Sequence, residues 1–207
     1  MTTGTDLLTL SPVMPVVVID DADDAVPTAR ALLAGGIGVI ELTLRTPAAL
    51  TAIERVAREV PDIVVGAGTV TSPDQAKQSA DAGAKFLVTP GCTDTLLDAA
   101  FATGLPFLPG ASTVSEALRL AERGLTALKF FPAEASGGTA FLKSIAGPLP
   151  DLRFCPTGGI TVDSAPSYLA LPNVGCLGGS WLTPAKLLSA KDFGTVQTLA
   201  TEAAALR

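Results

Sequence analysis

The stretch FLVTPGCTDTLLDAAFATGLPFLPG, residues 86–110, sets the fold. It opens on a four-residue apolar run and passes a Thr-Pro-Gly turn. At Thr93 it enters an Ala- and Leu-rich segment of helical spacing, which closes on Gly104 before a second apolar run, 106–108. Thr93 has the hydroxyl that an N-cap needs, and Gly104 stands where a helix C′ glycine belongs. Short apolar runs without polar alternation suit parallel strands covered on both faces. The same cadence repeats along the chain. Candidate strands occupy 13–19, 39–43, 63–66, 86–89, 106–108, 127–130, 153–156 and 174–177. Gly35, Gly83, Gly104 and Gly124 close the helices before them. Asp23 or Asp24, Ser72, Thr93, Thr113 and Thr161 are the candidate caps. Ser72-Pro73 and Thr46-Pro47 place proline just inside a helix start. Residues 164–171 read as a short helix and 193–206 as the last one. Eight strand–helix units of about 25 residues predict a (β/α)8 TIM barrel as a single domain, 1–207. A doubly wound open sheet is the alternative, but the first strand ends Ile19-Asp20-Asp21 without a glycine-rich turn.

Composition narrows the chemistry. The chain is 48% hydrophobic and 16% charged, which suits one large core. Its net charge of −6 disfavours nucleic acid and anionic membrane as partners. The apolar stretch 13–19 is too short to span a bilayer, and no targeting segment is evident. Three widely spaced cysteines, Cys92, Cys155 and Cys176, read as reduced thiols of a cytoplasmic protein; the latter two sit in apolar runs as small buried side chains. Histidine is absent. That removes imidazole acid–base chemistry and His-based zinc sites, and leaves carboxylate, lysine, tyrosine or water to move protons.

Strand ends carry the sites of such barrels, and Lys129 is the odd residue there. It interrupts the apolar run Leu125-Thr126-Ala127-Leu128-Lys129-Phe130-Phe131-Pro132. A lysine in such a place must find a partner or give up its proton. Burial and a nearby cation both favour a neutral amine, which attacks carbonyl carbons. A buried lysine merely paired with a carboxylate is the other reading. Strand alternation puts Glu41, Thr43 and Arg45 on one face of the second strand, with Glu41 and Arg45 in its most apolar part. Arg45 offers a planar fork for a substrate carboxylate, and Glu41 is the carboxylate placed as general base; an inert salt bridge is the alternative. Gly158-Gly159 and Gly178-Gly179-Ser180 end neighbouring strands, where barrels often bind phosphate. Tight turns also want glycine. Thr69 either orients a carboxylate or water, or caps the helix at Ser72. Phe131 and Pro90 form apolar walls, and Trp181 reads as packing.

In order along the chain, these motifs are Ile40-Glu41-Leu42-Thr43-Leu44-Arg45-Thr46, Val65-Gly66-Ala67-Gly68-Thr69-Val70, Thr89-Pro90-Gly91, Lys129-Phe130-Phe131-Pro132-Ala133-Glu134, Arg153-Phe154-Cys155-Pro156-Thr157-Gly158-Gly159-Ile160 and Gly178-Gly179-Ser180-Trp181. With them the chain resembles the 2-keto-3-deoxy-6-phosphogluconate (KDPG) aldolases, also described as 4-hydroxy-2-oxoglutarate (KHG) aldolases, over nearly its whole length. Thr89 stands where serine is common in that family. The resemblance implies a class I, Schiff-base aldolase on a (β/α)8 barrel, without metal or cofactor, usually a homotrimer. It implies Lys129 as the imine-forming lysine and Glu41 as the general acid/base, with Arg45 and Thr69 on the pyruvyl carboxylate. Pro90 and Phe131 would pack beside the imine, and Gly158, Gly159, Gly179 and Ser180 would hold the phosphate. The expected reaction, a step of the Entner-Doudoroff pathway, cleaves the phosphorylated 2-keto acid to pyruvate and glyceraldehyde 3-phosphate. The same chemistry on 4-hydroxy-2-oxoglutarate or on the C4-epimeric sugar acid is the alternative, with Thr157 and Glu41 among the groups that would discriminate the epimers. A metal-dependent pyruvate aldolase would lack histidine ligands here. A non-catalytic phosphate-binding barrel would leave Lys129 structural.

Overall fold

The computed structural model describes residues 4–206. Its strands are β1 (Val13–Val17), β2 (Val39–Thr43), β3 (Val64–Gly68), β4 (Leu87–Val88), β5 (Phe107–Leu108), β6 (Gly110–Ala111), β7 (Ala127–Phe130), β8 (Arg153–Pro156) and β9 (Leu177–Gly179). Every pairing between them is parallel. The order is β5-β4-β3-β2-β1-β9 in one sheet and β6-β7-β8 in the other. The result is an α/β fold with a curled parallel sheet, as the cadence predicts. The predicted fifth strand is matched by β5, and a further two-residue strand, β6, follows just past it in the other sheet. Pro109 stands between them and has no N–H to donate, although its carbonyl still accepts from Lys129 N at 2.9 Å. The predicted strand at 174–177 begins later, at Leu177; Val174 keeps only a single parallel bridge to Phe154.

Helices α1 (Gly4–Leu7), α2 (Ala25–Ala34), α3 (Ala49–Glu59), α4 (Pro73–Asp81), α5 (Asp94–Ala102), α6 (Val114–Glu122), α7 (Gly138–Ala146), α8 (Ala165–Leu169), α9 (Ala185–Ser189) and α10 (Phe193–Ala204) complete the chain. Three predicted caps act as such: Ser72, Thr93 and Thr113 accept from Gln75, Leu96 and Glu116 N, and Glu116 closes a capping box. Asp24 precedes α2 without a side-chain cap bond, and Ser164, not Thr161, stands before α8. At α2 the left-handed turn falls on Gly36 (φ 90), one residue past Gly35. Thr46-Pro47 does not open α3: the helix starts at Ala49, and the Thr46 hydroxyl donates to Ile19 O. The short α1 and α9 have no counterpart in the sequence reading.

The strands are buried on both faces, as their largely apolar character requires. Along β7 the alternation decides where Lys129 goes. Phe130 stacks on Phe141 of α7, with ring centroids 4.8 Å apart, and meets Phe154 edge-on. Its neighbour Lys129 therefore faces the opposite side of the sheet, away from the helices. No helix among the described residues is long and apolar enough to cross a membrane.

Candidate active site

Lys129 and Glu41 meet. Lys129 Nζ lies 3.1 Å from Glu41 Oε1, and both side chains are almost wholly buried. An ion pair out of water recovers its desolvation cost poorly, so it is weak evidence for a stabilising role. Two arrangements hold this one. Backbone pairing sets Lys129 beside Gly110 and Cys155, and Glu41 beside Val16 and Gly66. Glycine on β3 then makes room: a Cβ at Gly68 would fall 2.1 Å from Glu41 Oε1 and 2.4 Å from its Cγ. Gly66, on the same face, is filled by the Phe86 ring. Gly68→Ala is therefore expected to push the Glu41 carboxyl out of register with Lys129. Overpacking of this kind costs about 1–3 kcal/mol, and kcat should fall about a hundredfold or more. Steady-state kinetics on variant whose circular dichroism is unchanged checks this; undiminished kcat rejects the close approach.

Arg45 departs from expectation. Strand β2 ends at Thr43, so Arg45 lies in the turn beyond it and is exposed rather than held in the strand's apolar part. Its Nε donates to Thr69 Oγ1 at 3.3 Å. Thr69 is a β-branched residue at φ 58, an unusual conformation for such a side chain. The helix cap next to it is Ser72, which leaves the Thr69 hydroxyl to Arg45. Thr43, between Glu41 and Arg45 on the shared face, donates to Val17 O and ties β2 to β1.

A cavity of about 280 Å³ opens beside this cluster. Arg45, Phe131, Thr157, Gly158, Gly159 and Ser180 line it. The Phe131 ring also carries Lys129 Nζ 5.6 Å from its centroid. Gly158 (φ 102) and Gly159 (φ 81) adopt the left-handed backbone that favours glycine. Among the described residues, neither of their N–H groups has a backbone acceptor. Gly178 lines the cavity as well and gives way to Thr157, whose Oγ1 would lie 2.0 Å from a Cβ there. Lys129, Glu41 and Thr69 adjoin the cavity without lining it, and two further expected residues stand apart. Gly179 does not line the cavity; it makes room for the Trp181 ring, 2.5 Å from its would-be Cβ. Pro90 does not line it either, and its carbonyl group crowds Gly110, the β6 partner of Lys129. Val16, Val18 and Ile160 do line the cavity, although the sequence reading does not single them out. Alternation along β1 marks Val16 and Val18 as one face, but the side that face takes depends on how the sheet curls.

Cys155 and Cys176 are buried. Burial pushes the half-buried Cys92 thiol up to about 11, which makes it a poor nucleophile at neutral pH.

A family model for KDPG and KHG aldolases matches residues 5–199. The chain belongs to the KDPG and KHG aldolase family. A 2-dehydro-3-deoxy-phosphogluconate aldolase of Dickeya dadantii is 52% identical over 99% of this chain and 96% of its own length. Among solved structures, a KDPG aldolase from Legionella pneumophila, with pyruvate captured at low pH as a covalent carbinolamine intermediate, has TM-score 0.96 and 43% identity over 99% of both chains. The KDPG aldolase of Zymomonas mobilis ZM4 with 3-phosphoglycerate has TM-score 0.94 and 46% identity, covering 100% of this chain and 97% of its own. A Schiff-base aldolase family thus accounts for a lysine and a carboxylate paired out of water in a chain without histidine.

Proposed function

We propose that this member of the KDPG and KHG aldolase family is a lyase that cleaves 2-keto-3-deoxy-6-phosphogluconate through an imine on Lys129. The observation that carries the proposal is the buried Lys129–Glu41 contact at 3.1 Å. A proton passing from the amine to the carboxylate leaves the Nζ lone pair free to attack the C2 ketone. The carboxyl passes that proton to the carbinolamine hydroxyl, which leaves as water and gives an iminium, an electron sink beside C3. Glu41, directly or through a water, takes the C4 hydroxyl proton. The C3–C4 bond breaks, its electron pair forms the enamine, and glyceraldehyde 3-phosphate leaves. The same carboxyl returns a proton to C3, and water hydrolyses the imine to pyruvate and free amine. Trapping of pyruvate on Lys129 by borohydride tests the covalent step.

Arg45, held by Thr69, takes the substrate carboxylate, and Phe131 walls the imine. Pro90 acts at one remove, by seating Gly110 beside Lys129. The phosphate lies at Gly158, Gly159 and Ser180, where unspent N–H groups and a hydroxyl face the cavity. Gly179 serves that end through its packing with Trp181. Replacing Ser180 by Ala is expected to raise KM for the phosphorylated substrate about tenfold, as for a lost hydrogen bond to a charged group. KM for 4-hydroxy-2-oxoglutarate should move less, and equal shifts in assays on both substrates reject the phosphate assignment. The family description supports 4-hydroxy-2-oxoglutarate as a second substrate through the same steps.

The bridges Phe154↔Val174 and Thr157↔Gly178, and the single proline between β5 and β6, support joining the two sheets into one closed (β/α)8 barrel of a single domain, 1–207. Family membership supports a cytoplasmic homotrimer acting in the Entner-Doudoroff pathway, without metal or cofactor.

A further inference from the structure

Beneath the Gly158-Gly159 turn lies a carboxylate that the aldol chemistry does not use. Glu134 N donates to Gly158 O at 3.1 Å, and Ala133 N to Thr157 O at 2.8 Å. A Cβ at Gly159 would fall 2.8 Å from both Cβ and Cγ of Glu134, so the turn rests on the aliphatic stem of that side chain. The stem is held from its far end. Tyr168 on α8, itself 1% exposed, donates its hydroxyl to Glu134 Oε1 at 2.5 Å. Gly138 (φ 56), at the start of α7, approaches the same pair: a Cβ there would lie 3.1 Å from the Tyr168 hydroxyl. Burial and the neighbouring carboxylate push the Tyr168 hydroxyl above its ordinary range, so it stays a donor. The loop after β7, the turn after β8 and helix α8 therefore converge on one part-buried hydrogen bond.

We infer that Glu134 and Tyr168 are positioning residues for substrate phosphate, acting through the Gly158-Gly159 turn without touching the reacting atoms. The inference rests on the phosphate assignment above. A turn with two left-handed glycines has wide conformational freedom of its own, and anion binding by backbone N–H groups requires them to converge. The Tyr168–Glu134 bond supplies that constraint from below.

The test compares Tyr168→Phe, Glu134→Ala and Glu134→Gln with the parent. Two readouts are used: KM and kcat for the phosphorylated substrate, and the pyruvate concentration that half-saturates borohydride trapping on Lys129. Tyr168→Phe and Glu134→Ala are expected to raise KM about fivefold, the scale of one ordinary hydrogen bond's net contribution. They should leave kcat and half-saturating pyruvate near the parent values. Glu134→Gln keeps the stem and the acceptor and should stay within about twofold of the parent. Unchanged KM in Glu134→Ala, or a matching shift in half-saturating pyruvate, overturns the inference. Glu134 is exposed, so this variant decides the matter even where Tyr168→Phe loses its fold. Ser180→Ala separates the layers. If it raises KM selectively and Glu134→Ala does not, only the positioning role fails; if neither is selective, the phosphate assignment itself fails.

Discussion

Borohydride added to the protein with pyruvate is expected to leave one stable pyruvyl adduct, on Lys129. The Nζ lone pair attacks C2, water leaves, and hydride adds to the iminium carbon as a secondary amine that cannot hydrolyse. Peptide mass mapping reads the site. An adduct on another lysine, or none, rejects the covalent mechanism and returns Lys129 to a structural role. Lys129→Ala should lose turnover by about 10⁴-fold or more, since no lysine among the described residues lines the cavity to take its place. It also carries a folding penalty. Removing one partner of a buried pair leaves the other uncompensated, which typically costs about 3–5 kcal/mol, and Glu41 is that partner. Thermal melting followed by circular dichroism should therefore accompany the kinetics. Trapping carries more weight than the alanine variant, because a purely structural lysine would also lower stability on removal yet would capture no pyruvate.

Glu41→Gln separates proton transfer from carbon–nitrogen bond formation. The amide preserves the shape of the carboxyl but cannot take the C4 hydroxyl proton, and general acid–base catalysis is worth about 10²- to 10⁴-fold. Turnover should fall by that order, while pyruvate is still trapped on Lys129 at reduced rate. Undiminished turnover would take the acid–base role away from Glu41. Unlike Gly68→Ala, which moves the carboxyl, Glu41→Gln keeps geometry and removes basicity; agreement between the two assigns the loss to both proximity and proton transfer.

Much of this was legible from short-range signals. Ser72, Thr93 and Thr113 cap helices because a hydroxyl before a helical segment satisfies the first free N–H groups, a relation spanning three residues. The turn glycines Gly83, Gly104 and Gly124 take the left-handed conformation for an equally local reason. Strands β2, β7 and β8 fall at their predicted boundaries because short, largely apolar runs between such markers have one favourable use. Where local rules compete, boundaries slip. Pro109 separates β5 from β6, and Thr46 spends its hydroxyl on Ile19 O instead of opening α3.

Alternating parallel strands and helices, the absence of imidazole chemistry and an anomalous lysine at a strand end are all readable in the chain's residue order. What that lysine meets is settled by the fold. Glu41 is 88 positions away, and their contact depends on the register of strands that reach each other around the curl of the sheet. Tertiary packing likewise placed Arg45 in an exposed turn against Thr69, made Gly68 the space for a carboxyl, and joined Tyr168 to Glu134 beneath the phosphate turn. Caps and periodicity are written over three or four residues, where backbone geometry dictates the neighbour. Register and curl are set by the packing of the whole core, which no short window of sequence contains.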